Sequence, residues 1–125
     1  MDPLKFRKHQ HIRSGADFER VFRQGSRARS DLMVVCVREN GLEHSRLGLS
    51  VGKRIWKSAV KRNRIRRIFR ESFRLSQYEI PAGLDVVLIP GRPKLDPDLP
   101  STCEQLIAMT KKAYRRYLEK VEKAG

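Results

Sequence analysis

RLGLSVGKRIWKSAVKRNRIRRIFRESFR, residues 46–74, reads as a strand, a basic turn and a long helix in succession, and the rest of the chain is arranged around it. The opening RLGLSVG (46–52) has the short apolar pattern of a strand. From residue 58 to about residue 77 the pattern turns helical. Ile65, Ile68, Phe69 and Phe73 recur at the i, i+3, i+4, i+8 spacing of one helix face, and Ser58 stands as N-cap ahead of Ala59 and Val60. Stepping about 100° per residue puts Asn63, Arg67, Arg70 and Arg74 opposite that stripe, with Arg64 and Arg66 on its flanks. Lys61 and Arg62 fall on the apolar side, where an unpartnered charge would be costly to bury. Either they snorkel from the helix start or that end overhangs a cleft.

Between Lys57 and Arg74 stand eight basic residues against one acid, Glu71. A solvated helix ordinarily offsets its charge with i, i+4 acid–base pairs, and here the acids are missing. A field of this kind needs an external polyanion, and the planar arginine fork suits phosphate oxygens. The helix is therefore read as facing nucleic acid. The whole chain agrees: 28 Lys and Arg against 14 Asp and Glu give a formal net charge of +14.

At 125 residues the chain is one domain, able to bury a core without metal or disulfide staples. No apolar run approaches the roughly 20 residues of a membrane span, and MDPLKFRKHQHIRSG (1–15) lacks the apolar stretch of a signal peptide. A cytoplasmic protein without membrane contact is expected. Cys36 and Cys103 form no CxxC, and His9, His11 and His44 do not join them at zinc-finger spacing, so reduced cysteines and no protein-held metal are expected.

Ahead of the central stretch, Ser14 and Asp17 cap a short helix over 15–24 that carries Phe18, Val21 and Phe22 and stops at Gly25. LMVVCVR (32–38) is a strand, and ENGLEH leads from it into 46–52, so the two are expected to pair as a hairpin. Pro81 and Gly83 precede another buried strand, LDVVLIP (84–90). The last helix is expected to open on a Ser101/Glu104 capping box, with Leu106, Ile107, Ala113, Tyr114, Tyr117, Leu118 and Val121 facing inward. The order α-β-β-α-β-α, with room for a further strand near residues 28–31, predicts an α+β fold in which a small β-sheet packs with helices. Residues 1–125 form a single RNA-binding domain, and 1–10 and 119–125 are expected to be flexible tails. The strand, basic helix, strand unit invites a parallel βαβ pairing, for which a right-handed crossover is the general rule.

The stretch 46–74 resembles the protein subunit of bacterial ribonuclease P. The LSV strand, the Lys53-Arg54 pair, the Ala59-Val60-x-Arg62-Asn63-Arg64 core and the Arg70-Glu71-x-Phe73-Arg74 continuation stand in that family's order and spacing. DFERVFRQG (17–25) is similar to the family's first helix, and the likeness runs from about residue 10 to residue 118. The resemblance implies a left-handed crossover around the basic helix, against the general rule. It also implies a subunit that does no chemistry itself but joins a large catalytic RNA in removing the 5′ leader of precursor tRNA. Mg2+ would be held chiefly by the RNA. The partners implied are the catalytic RNA and precursor tRNA, with no obligate protein partner. The residues themselves agree, since they form no general acid or base constellation. A ribosomal-type RNA-binding module with no role in cleavage is the competing reading, and the Arg62–Arg74 motif in its LSV context argues against it.

The resemblance further implies two surfaces. Arg64, Arg67, Arg70 and Arg74, with Lys53 and Arg54 at the turn, would meet the catalytic RNA. A cleft between the sheet and the first helix would hold the single-stranded leader, with Phe18, Phe22 and Cys36 in it and Arg62, Asn63 and Arg66 at its rim. By spacing alone Phe18 and Phe22 describe an ordinary i, i+4 core contact, and Asn63 a local hydrogen bond. Two residues depart from the family pattern. Cys36 stands where an aromatic is common, and a thiol cannot stack on a base. Trp56 stands where a small residue usually precedes the helix.

Overall fold

The computed structural model describes residues 6–124, and within them the elements run α1 (Gly15–Gln24), β1 (Ser26–Arg29), β2 (Met33–Glu39), β3 (Arg46–Leu49), α2 (Ala59–Ser76), β4 (Leu84–Pro90) and α3 (Leu99–Ala124). This is the expected α+β architecture, with the further strand present as β1. Of the two expected tails, residues 1–5 and 125 lie outside the described residues. Lys8–Gln10 form a 3-10 turn, and residues 119–124 continue α3.

The four strands lie in the order β1-β2-β4-β3. β2 does not pair with β3 as a hairpin, contrary to the reading of ENGLEH. β4 sits between them, antiparallel to β2 and parallel to β3. Burial explains the insertion, since six of the seven β4 residues are buried, and a strand apolar on both faces belongs in the middle of a sheet. The segment after β2 closes against β4 instead. Asn40 donates from its side chain to Asp85 and His44 O, and its backbone N–H meets Gly83 O. Gly41 and Gly83 take the positive φ values, 74° and 77°, that these corners need. The outer edge of β3 is partly covered by the N-terminal segment, where His11 bridges to Leu47 and Ile12 N–H donates to Leu47 O.

Each sheet face has its own core. On one, Met33, Val35, Val37, Leu47, Val86 and Leu88 meet Ile65, Phe69 and Phe73 of α2 and Leu106 and Ala113 of α3. Ile68, expected in the buried stripe, is only half-buried. The covered arc of α2 runs instead through Ile65, Phe69, Ser72, Phe73 and Ser76, because α2 packs on α3 as well as on the sheet. On the other face α1 lies over Cys36 and Val87, with Val21 buried and Phe18 and Phe22 half-buried beside them. Asp17 and Asp85 hold α1 in place through Arg46. That guanidinium contacts Asp85 at 2.6 Å and Asp17 at 3.6 Å, and the carboxylates raise its pKa.

α3 begins earlier than expected. Asp98, not Ser101, is its cap: Ser101 N–H donates to the Asp98 carboxylate at 2.7 Å. The expected inward face also ends earlier, since Leu118 and Val121 are exposed where α3 runs past the sheet.

Candidate nucleic-acid interface

α2 presents its cations in two distinct ways. Arg67 and Arg70 are exposed and have no ion-pair or hydrogen-bond partner among the described residues; the same holds for Lys53 and Arg54 in the turn before the helix. Arg64 reaches Asp96 at 3.4 Å through a loose, exposed contact that costs little to exchange for a phosphate. Arg74 differs from its expected outward position. It is half-buried and paired with Glu71 one turn earlier, and that hydrogen-bonded pair lowers the Glu71 pKa.

Arg62 and Arg66 are anchored. Arg62 folds back from the first turn of α2 and donates to Trp56 O and Lys57 O, each at 2.8 Å. This resolves its place on the apolar side of the wheel: the stem runs over the turn and the guanidinium meets carbonyls there. Lys61 escapes similarly, with its ammonium 5.3 Å from the Trp56 ring centroid. Arg66 bridges Asn63 Oδ1 at 2.9 Å and Val51 O at 2.8 Å, tying α2 to the chain that leaves β3. Asn63 thus makes the local hydrogen bond that spacing alone suggested.

On the α1 side of the sheet, Phe18 and Phe22 lie with ring centroids 6.5 Å apart. The Phe18 ring passes directly over Gly48 of β3: a Cβ there would come within 2.6 Å of the ring tip. Phe22 lies under Arg27 of β1, whose guanidinium is 5.8 Å from the ring centroid. Cys36 is the correction. Its position on the strand points it toward α1, but the helix covers it completely, leaving it 0% exposed, and burial raises the thiol pKa. It offers no surface to a ligand.

One row along the sheet from Cys36, the register aligns Arg29, Val34 and Ile89, and α1 does not bury them. Arg29 is exposed and the other two are half-buried. Sequence reasoning missed this strip. The alternation in SRAR was its signal, because Ala28 buried in the main core forces Arg27 and Arg29 to the opposite face. Among the described residues no three His, Cys, Asp or Glu side chains gather into a set that could hold a metal ion.

A model of the family described as ribonuclease P matches residues 6–114. The ribonuclease P protein component of Haemophilus influenzae (strain PittGG) is 45% identical over 82 residues, covering 66% of this chain and 69% of that one. That of Syntrophobacter fumaroxidans is 45% identical over 89 residues, covering 71% and 74%. Among solved structures, the ribonuclease P protein of Thermotoga maritima superposes with a TM-score of 0.73 at 34% identity, covering 82% of this chain and 96% of that chain. The Staphylococcus aureus protein gives 0.72 at 31% identity, covering 83% and 94%. The chain belongs to the ribonuclease P protein family. It is a protein component of that endoribonuclease, a metal-dependent ribonucleoprotein of tRNA 5′ processing, and its partner is the RNA subunit. No helix among the described residues is long and apolar enough to cross a membrane.

Proposed function

We propose that this chain works through two RNA-facing surfaces with separate tasks. Arg64, Arg67 and Arg70 of α2, extended by Arg74 and by Lys53 and Arg54, bind the catalytic RNA. The α1 side of the sheet binds the single-stranded 5′ leader of precursor tRNA, with Phe18 and Phe22 offering ring faces to bases. Arg62, Asn63 and Arg66 form the rim. An arginine has five N–H donors, so the two that Arg62 uses on the turn leave it three for a phosphate, and Arg66 keeps as many.

The observation that carries this reading is a contrast among arginines: Arg67 and Arg70 of α2 have no partner among the described residues, whereas Arg46, which ties α1 to the sheet, is neutralised by Asp17 and Asp85. Such unneutralised charge stabilises a complex with a polyanion by releasing its counterions. In this reading the chemistry belongs to the RNA and Mg2+ is held chiefly there; among the described residues no three His, Cys, Asp or Glu side chains gather into a set that could hold it. The compartment we assign is the cytoplasm, which suits two free cysteines, and no second protein chain is required.

Cleavage of precursor tRNA by the protein alone, by the cognate RNA alone and by both together, at low and high magnesium, tests the first task. The protein alone should be inactive, and it should raise cleavage by the RNA most at low magnesium. Site-specific cleavage by the protein alone would refute the assignment. The second task is tested by the ratio of precursor to mature tRNA affinity in holoenzymes carrying Phe18→Leu or Phe22→Leu, which should fall while assembly persists. Unchanged ratios in folded variants would return both rings to a purely structural role.

A further inference from the structure

Trp56 is the chain's one tryptophan, and it lines a cleft of about 540 Å³ at the base of α2. That volume lies within the roughly 300–1,000 Å³ typical of small-ligand sites. Lys53, Arg54 and Lys57 stand along one wall, and Pro93 and Lys94 form the other. The four cations are exposed and have no ion-pair partner among the described residues.

The cleft is fixed in shape. The indole N–H donates to Leu95 O at 2.8 Å, so the ring cannot swing without losing a hydrogen bond. Arg62 clamps the Trp56 and Lys57 carbonyls from below. Lys94 N–H donates to Ile55 O at 2.7 Å and ties the second wall to the first, and Lys94 takes a left-handed φ of 56° to do so. A non-glycine residue at positive φ is strained, and the hydrogen bond to Ile55 O holds Lys94 in that conformation against the cleft.

An aromatic ring in a preformed cleft ringed by four unneutralised cations matches one chemistry: a π-face for a base and ammonium and guanidinium groups for the flanking phosphates. We propose that this cleft receives a single unpaired nucleotide of the catalytic RNA, its base against the side of the Trp56 ring that Lys61 does not cover and its phosphates against Lys53, Arg54, Lys57 and Lys94. The proposal rests on the reading that the α2 arginine face meets that RNA. It adds a specific docking point where that reading supplies only diffuse charge. The location fits, because Arg64 reaches Asp96, next to the residue that anchors the indole.

Trp56 is its own reporter. The protein is titrated with the cognate catalytic RNA while assembly is followed independently by filter binding and Trp56 emission is followed in the same samples. Emission should be strongly quenched, and protected from acrylamide, in step with assembly and before precursor tRNA is added. Trp56→Leu should then weaken assembly by about 5- to 150-fold, the range expected of a lost base–aromatic stack. Trp56→Phe keeps a ring but removes the indole N–H, and it should restore most of the affinity. If Phe and Leu weaken assembly equally, the residue only braces the turn and the proposal fails. Assembly with unchanged emission and unchanged acrylamide access also overturns it, while leaving the arginine-face reading intact. Absence of assembly would overturn both.

Discussion

Gly48→Ala is the most direct probe of the sheet face under α1. Its Cβ would stand 2.6 Å from one atom of the Phe18 ring, 2.7 Å from a second, and 3.2 Å from the end of Ile12. The two ring contacts are shorter than a Cβ tolerates, so something must move. The strand cannot, because Gly48 is a register partner of Val87 in the middle strand. Ile12 is held by its backbone bond to Leu47 O. The Phe18 ring, half-buried and hinged at its own Cα, is the mobile party and must swing outward or along the groove. Overpacking of this kind costs about 1–3 kcal/mol. Because the ring has an open side, the lower half of that range is expected. For a chain of this length that corresponds to a Tm lower by roughly 3–8 °C.

The functional consequence follows from the geometry. If Phe18 stacks on a leader base, a displaced ring gives up part of an interaction worth about 1–3 kcal/mol, and the precursor-to-mature affinity ratio of the holoenzyme should fall several-fold. Assembly with the catalytic RNA should not change, since α2 packs on the opposite face of the sheet. The assays are thermal unfolding of the free protein and the two tRNA affinities of the holoenzyme, for Gly48→Ala alone and combined with Phe18→Leu. The double variant should recover stability relative to Gly48→Ala, because leucine has no ring to collide. Full stability and an unchanged ratio for Gly48→Ala would refute the placement of Phe18 over β3.

The remaining expectations concern the core, the arginine face and pH. Phe69→Ala should cost about 3–5 kcal/mol through cavity formation, and Ile68→Ala distinctly less than Ile65→Ala, because Ile68 is only half-buried; equal losses in chemical denaturation would contradict the orientation of α2. Replacing Arg67 and Arg70 together by Ala should leave Tm unchanged within a degree or two. The same change should lower the slope of log affinity against log salt by about 0.7–0.9 for each phosphate that is no longer neutralised, as read from assembly titrations at several salt concentrations. Arg46→Ala leaves the buried Asp85 without its cation and should cost about 3–5 kcal/mol, toward the lower end because the Asn40 side chain still donates to it; a neutral result in urea unfolding would show the pair to be dispensable. Burial, then Arg13 and Arg70, lower the His11 pKa below its ordinary value. The unfolded chain therefore binds the proton first, so the His11 contribution is fully present above the unfolded pKa and is lost as pH falls from there toward the folded value. His11→Gln should flatten the Tm–pH curve between about pH 7 and 5 relative to the parent; identical curves would exclude the effect.

What the sequence made legible depended on whether a single element settled the question. α1 and β4 occupy the ranges that their patterns predict, because caps, breakers and apolar runs are local. ENGLEH suggests a β2–β3 hairpin because the two strands are adjacent in sequence, yet β4 separates them in space. LDVVLIP already held the correction, being apolar on both faces except for Asp85, which Arg46 neutralises. Ile68 departs from its expected burial for a related reason. A hydrophobicity wheel counts Ser72 and Ser76 as polar, yet both are buried, and the Ser72 hydroxyl is satisfied by Phe69 O. Small side chains there let α3 approach, so the buried arc is centred away from Ile68. Cys36 lies on the α1 face of the sheet as expected, but no one-dimensional pattern says how far α1 extends over that face. The Trp56 cleft was illegible because Pro93 and Lys94, its second wall, lie almost forty residues from the first.

The arginines of α2 consequently divide by what their guanidinium groups already hold, and the division decides how any substitution among them can be interpreted. Arg62 and Arg66 each satisfy backbone carbonyls of the segment between β3 and α2, so removing either leaves carbonyls of that turn without a partner. Weaker RNA affinity in such a variant mixes a displaced turn with a missing phosphate interaction. Arg66→Lys does not separate the two, because one ammonium on a flexible stem does not reproduce a planar bridge between Asn63 Oδ1 and Val51 O. Arg67 and Arg70 hold no backbone group, so their replacement changes the charge presented to RNA and, for Arg70, the repulsion felt by His11, without loosening the turn. The turn that Arg62 and Arg66 hold is also the wall of the Trp56 cleft. Coupling between Arg62 and Trp56 in a double-mutant cycle of assembly should therefore exceed coupling between Arg70 and Trp56, which share no partner.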